Sequence, residues 1–256
     1  MTMANKYVNF ISDEHLLNCV ENLHKSYLKA KSKISKRSFY TNKVDTIKLT
    51  FDSKFNSITE DDLIQSEILR QIDKSINNSI GTFHEEILGG IEGYERGNKN
   101  GYDIKAIDNS LFAEVKNKHN TMSAGAKLEV FESLANFADN NKKAKCYWVQ
   151  LLAKKSFTSE WKGEIKGKYK SHPRIYTISG DQFYALLSGQ DDALFQLYKA
   201  LPVVIEDYLK SYKSESNQNK NSALEEISSE TEKTKRSILD QITFENYGYY
   251  LGFDKL

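Results

Sequence analysis

A chain of 256 residues can bury a sizeable core in one large domain or two small ones. Its 36 basic and 35 acidic residues nearly cancel, so net charge names no partner, and two cysteines without metal-ligand spacing argue against a structural zinc site or a disulfide framework. No apolar run approaches the ~20 residues that span a bilayer, and the N-terminus turns polar and acidic too soon for a signal peptide, so a cytoplasmic protein without membrane contact is expected.

In chain order, apolar residues at helical spacing predict a helix over about 13–30, capped by Ser12 and Asp13. Between Lys25 and Lys54 nine basic residues face two acidic ones. This stretch, with Phe39 and Tyr40 and an expected strand at Asp45 to Phe51, fits both a DNA-facing arm and a solvated loop packing two aromatics. From Thr59 a long amphipathic helix is predicted, its apolar residues recurring from Ile64 to Ile87 and its end marked by Gly89 and Gly90. At ~100° per residue Glu86 lies at the margin of the buried face and Glu85 nearly opposite. Glu86 is therefore the candidate third acid of a site, set against the reading that both are ordinary solvent-facing carboxylates.

Ile91 to Glu95 is a candidate short strand. The segment GYDIKAIDNSLFAEVKNK, Gly101 to Lys118, reads as a hairpin in which Leu111, Ala113 and Val115 alternate with Glu114, Lys116 and Lys118. A turn centred on Asn109 and Ser110 sets Asp103 opposite Lys116, on the face of Glu114, whereas a one-residue slip would separate them. Two hard-oxygen carboxylates and an ammonium at one place can hold a divalent cation beside an attacking water. Glu164-Ile165-Lys166 repeats the acid-x-lysine pattern, but among glycines and lysines and without strand-like apolar neighbours.

A second amphipathic helix follows, with Leu128, Phe131 and Leu134 on one side, and then CYWVQLLA, Cys146 to Ala153, a buried central strand. The next segment, Lys154 to Arg174, holds seven basic residues and two acidic ones and reads as a loop or loose hairpin. A strand at Ile175 to Ile178, a helix from Gly180 and another over Asp191 to Tyr212, with Pro202 a candidate break, complete the body. The reading is one domain over 1–212 with its core at about 60–180, a polar linker at 213–222, and a C-terminal helix and aromatic segment over 223–256 that packs on the body or on a dimer partner. No phosphate-binding glycine loop, HExxH motif or Cys/His cluster favours a small-molecule enzyme or a nucleotide cofactor.

Asp103 with Glu114-Val115-Lys116, set in the order helix, strands, helix, strand, resembles the PD-(D/E)XK nuclease superfamily, with Tyr102 in place of the proline of its name. Over FAEVKNKHNTMSAGAKLEVFE and YTISGDQFYALLSG the chain is similar to type II restriction endonucleases that cut GGNCC-type sites. The resemblance implies an α/β restriction-endonuclease-like core, a mixed central sheet flanked by helices. It implies Mg2+-dependent hydrolysis of double-stranded DNA within a short palindrome by a homodimer. Asp103, Glu114 and the Val115 carbonyl would bind the metal, with Lys116 and Glu86 completing the catalytic set. Lys118, His119, Arg37, Lys168, Lys170 and Arg174 are the candidate DNA contacts. A repair or recombination nuclease on the same core and a non-catalytic DNA-binding protein are the other readings.

Overall fold

The structure is a computed structural model and describes residues 5–32, 35–97, 101–118, 122–212 and 222–248. In chain order its elements are α1 (Asp13–Ser32), α2 (Lys36–Thr41), α3 (Thr46–Asn56), α4 (Glu60–Gly89), β1 (Tyr94–Arg96), β2 (Ile104–Ala106) and β3 (Leu111–Lys118). They continue with α5 (Ala124–Asn140), β4 (Lys145–Leu152), β5 (Thr158–Glu160), β6 (Gly163–Ile165), β7 (Lys168–Lys170) and β8 (Ile175–Ser179). The chain closes with α6 (Gly180–Ser188), α7 (Ala193–Ser211), α8 (Ser222–Thr234) and α9 (Ile238–Tyr247). It divides into two compact units, Met1–Leu23 with Ile80–Lys213 and His24–Ser79 with Ser214–Leu256, the boundaries falling inside α1 and α4.

The first unit is built on a mixed sheet of order β1-β2-β3-β4-β8-β5. β1, β2 and β3 run antiparallel, β3, β4 and β8 run parallel, and β5 returns antiparallel at the far edge. Parallel neighbours need a crossover, and α5 supplies it between β3 and β4. β4 carries an unbroken buried run from Cys146 to Val149 because it is covered on both faces. Tyr147, Val149 and Leu151 join one core with Phe83, Ile87, Ile104 and Ala113. Cys146 and Trp148 join another with Phe112, Phe131 and Leu134 of the α5 layer. Fully burying a side chain such as Ile104 or Val149 contributes about 2 kcal/mol. Helices thus flank a mixed central sheet, the architecture expected from the order of elements.

Between β5 and β8, β6 and β7 form a separate two-stranded ribbon with Ile165 opposite Lys168. Its two-residue turn is Lys166 and Gly167, at φ 52° and 76°. Two positive angles in succession make the mirror-image turn that matches strand twist, so this segment is a regular hairpin.

In the second unit Phe39, Val44, Leu49, Leu63, Ile64 and Ile68 bury against Ile227 and Ile242. The strand expected at Asp45 to Phe51 is instead helix α3. Asp45 caps it by accepting the Lys48 backbone N–H at 3.1 Å. Alternation would put Ile47, Leu49 and Phe51 on one face, yet Leu49 is 5% exposed whereas Ile47 and Phe51 are 64% and 55% exposed. The cap, not the apolar period, carried the information. α7 also departs from expectation, running unbroken through Pro202. The single charged C-terminal helix expected from Ala223 to Leu239 is two helices, α8 and α9, with Lys235 at φ 57° between them. Of the expected linker at 213–222, Ser222 opens α8 and residues 213–221 lie outside the described residues, as do residues 249–256.

Candidate active site

The β2–β3 hairpin positions the candidate residues Asp103, Glu114 and Lys116. Ile104 pairs with Ala113 and Lys105 with Phe112, and continuing the register by one residue sets Asp103 beside Glu114. The expected register set it beside Lys116. The difference is two residues, which preserves the face, and its cause is a longer loop. Residues 107–110 form a four-residue connection in which Asn109 adopts φ 59° and the Asp108 carboxylate accepts the Ser110 N–H at 2.9 Å. Asn tolerates this left-handed geometry, and the Asp side chain closes the turn locally.

Asp103 is fastened on three sides. Its N–H donates to the Ala113 carbonyl at 2.8 Å, and its carbonyl accepts the Gly97 N–H at 2.8 Å. Its Oδ2 accepts the Val115 N–H at 2.7 Å. The Lys116 ammonium donates to Glu114 Oε1 and stands 3.9 Å from Asp103 Oδ2. Asp103, Glu114 and Lys116 therefore converge, with Glu114 only 17% exposed. Gly97 is required where it stands, because a Cβ there would meet the Tyr102 carbonyl oxygen and ring.

Glu85, not Glu86, joins them. A cleft of about 690 Å³ is lined by Glu85, Arg96, Gly97, Gly101, Tyr102, Asp103 and Glu114. Arg96 on β1 donates to Glu85 Oε2 through Nε at 3.1 Å and Nη2 at 2.8 Å. Glu86 is not part of the cleft lining. Its carboxylate takes the Asn22 amide at 3.4 Å and the outer side of Arg96 at 3.5 Å, and its carbonyl accepts from His15 Nε2 at 2.8 Å. The helical wheel favoured Glu86, and the structure instead turns Glu85 to the cleft. Both flank the buried residues Phe83, Ile87 and Leu88, and which flank meets β1 is a tertiary fact. Arg96 was missed for a similar reason, as one basic residue beside a turn has no periodicity.

Electrostatics couple the acids. Burial raises the Glu114 carboxyl above its ordinary value and the charge of Asp103 raises it further, against the Lys116 hydrogen bond. Glu85 is raised by burial and by Asp103, against Arg96 and Lys116. For Lys116, burial opposes the ammonium, but the Glu114 hydrogen bond and the charges of Glu114, Asp103 and Glu85 outweigh it, and its value is raised.

The candidate DNA contacts are dispersed. Lys118 ends β3 and is exposed, and His119 lies outside the described residues. Arg37 is exposed on α2, in the second unit. Lys168 is exposed on β7, and Lys170 donates to Glu132 on α5 at 2.9 Å. Arg174 is engaged within the fold, donating to the carbonyls of Asn141 and Lys142 at the end of α5 and lying 3.8 Å from Asp139. None of the five that are described lines the cleft. Among the described residues, too, no helix is long and apolar enough to cross a membrane.

A mixed sheet carrying an acid, a second acid and a lysine on an antiparallel hairpin, with a parallel crossover helix behind it, is a restriction-endonuclease-like fold. Residues 8–210 match the family model described as Eco47II restriction endonuclease. The chain is 38% identical over 226 residues to the type II restriction enzyme Sau96I of Staphylococcus aureus, an alignment covering 85% of this chain and 87% of that protein. It is 33% identical over 209 residues to the type II restriction enzyme Eco47II of Escherichia coli, covering 78% and 87%. The chain belongs to the Eco47II restriction endonuclease family: it is a type II restriction endonuclease, a site-specific deoxyribonuclease acting on double-stranded DNA.

Proposed function

We propose that this enzyme hydrolyses a phosphodiester bond within a short GGNCC-like palindrome, with Mg2+ as cofactor and as a homodimer, and that Asp103, Glu114, Lys116 and Glu85 are its catalytic set. The observation that carries the reading is the convergence of Asp103, Glu114 and Lys116 on one hairpin, with both acids lining the cleft. The similarity to Sau96I supports the target class.

The donor chemistry fits a hard cation. Among the described residues no three His, Cys, Asp or Glu side chains are already gathered as a metal group. The available set is two carboxylates and a backbone oxygen. The charge of Asp103 adds to burial in raising the Glu114 carboxyl, and one lysine serves both acids, so the site favours an added positive charge. In a strand, the N–H and C=O of one residue leave on the same edge. The Val115 carbonyl therefore points to the side on which its N–H meets Asp103. Asp103, Glu114 and the Val115 carbonyl would hold Mg2+, which when bound would polarise the phosphate and acidify the attacking water.

The rest is done by the chain. Lys116 Nζ, held by Glu114, donates to the attacking water or to a phosphate oxygen at the hairpin. Glu85, oriented by Arg96 and not by a backbone contact, stands ready to accept a proton or a hydrogen bond from water in the cleft. Hydrolysis adds water across one P–O bond of the DNA. Palindromic recognition follows from two-fold symmetry, since an isologous pair presents the same elements to each half-site. The exposed β6–β7 ribbon with Lys168 is the element of this unit best shaped for a groove.

The test is digestion of DNA of known sequence with Mg2+, followed by sequencing of the fragment ends. Discrete ends within GGNCC-like sites, lost on chelation and in Glu114→Ala, support the reading. Ends at an unrelated sequence overturn the target, and cutting confined to branches or mismatches overturns site-specific action through this cleft.

A further inference from the structure

α7 is apolar on two faces. Ala193, Leu197, Val204 and Tyr208 are buried in the core. On the outer face Phe195, Tyr198, Pro202, Ile205, Leu209 and Tyr212 are all exposed, the five large side chains by 36–69%. Their spacing alternates three and four residues along the whole helix, which is the seam of a coiled coil. Solvent explains the core-facing row but not this one, because an apolar stripe of five turns gains nothing in water.

We propose that this stripe is the surface by which two copies of the chain associate, α7 against α7, antiparallel about a two-fold axis. The inference rests on the homodimer proposed above and names its face. The occupant is argued from the stripe itself. Read antiparallel, every seam residue finds an apolar mate: Phe195 meets Tyr212 of the second copy, Tyr198 meets Leu209, and Pro202 meets Ile205. The solvent-side border carries Lys199 and Glu206, both exposed. In this alignment each Lys199 comes within about 3 Å along the axis of the second copy's Glu206, two residues at ~1.5 Å rise, giving two reciprocal ion pairs. A seam whose charges complement those of its own reversed image is what an isologous interface requires. At its centre Tyr198, Lys199, Leu201, Pro202 and Ile205 line a hollow of about 490 Å³, where an inserted Ile205 would sit.

Sedimentation equilibrium on the full chain tests this, with and without cognate DNA. The wild type should be dimeric at micromolar concentration, and Ile205→Glu should be monomeric with unchanged circular dichroism. Lys199→Glu should weaken the dimer at least about tenfold, and Lys199→Glu with Glu206→Lys should restore it. A short bis-maleimide should join copies of Ile205→Cys but not of Phe195→Cys, whose copies stand roughly 25 Å apart in the antiparallel seam. A wild-type monomer under all conditions overturns both the homodimer and this face. A dimer that survives both Ile205→Glu and Lys199→Glu unweakened overturns the face and leaves the homodimer standing. Cross-linking of Phe195→Cys overturns the antiparallel arrangement. If Ile205→Glu fails to fold, the charge pair decides: equal dimer affinity in the wild type and both charge variants overturns the proposal.

Discussion

Asp103 Oδ2 accepts the Val115 backbone N–H at 2.7 Å, so the first acid is held by the strand that carries the second acid and the lysine. The same carboxylate is therefore both a structural clasp and a chemical group, and substitutions can separate the two roles.

Asp103→Asn keeps an oxygen that can accept the Val115 N–H and loses the charge. DNA cleavage should fall by about 10²–10³-fold with stability changed by less than ~1 kcal/mol. Asp103→Ala leaves the N–H without its acceptor and should also lose about 1–3 kcal/mol in urea denaturation. Equal stability of the two variants would show that the clasp is not needed.

Glu85 and Glu86 are adjacent in sequence, and only Glu85 lines the cleft. Glu85→Gln should lower the cleavage rate by ~10–100-fold, whereas Glu86→Gln should stay within about threefold of wild type. The reverse order, measured in one digestion assay, would return the role to Glu86.

The raised Glu114 carboxyl predicts a pH dependence with a definite sign. A carboxyl whose folded value lies above its unfolded one favours the fold at acid pH, and that contribution is lost as pH rises through the folded value. In chelator, Glu114→Gln should therefore gain stability relative to wild type between about pH 4 and 7. Saturating Mg2+ should offset the wild-type deficit, at about 100 times its dissociation constant by ~2.7 kcal/mol. Thermal melts across pH, with and without Mg2+, measure both; a gap that narrows as pH rises would reverse the sign.

Lys168 and Arg174 should behave oppositely. Lys168→Ala should weaken DNA binding and reduce the slope of log affinity against log salt by about one, with stability unchanged. Arg174→Ala should cost about 1–2 kcal/mol by exposing carbonyls at the end of α5, and reduce DNA affinity no more than that instability explains.

The sequence was most legible where local chemistry and tertiary structure agree. β4 is buried on both faces from Cys146 to Val149 because both faces are covered, and the alternation of β3 placed Glu114 and Lys116 together before any partner strand was known. The hairpin register was legible in parity but not in value, since parity is set by the pleat and the value by a loop whose Asn109 geometry no periodicity records. α3 was misread because apolar alternation over a few residues imitates a strand, and its Asp45 cap was the deciding signal. Glu85, Arg96 and the engagement of Arg174 depend on which elements meet in space. The outer stripe of α7 was fully visible in the sequence, but only the structure shows that the core uses the other face.

The cleft lies beside the antiparallel edge of the sheet, where an unpaired strand would ordinarily invite another chain to add to it. β1 is three residues long, its Glu95 and Arg96 are exposed, and Glu95 is paired with Lys105 at 3.1 Å. A short, charged border of this kind is a poor template for backbone pairing. The edge nearest Asp103 and Glu114 thus resists the self-templated aggregation that would wall off the cleft.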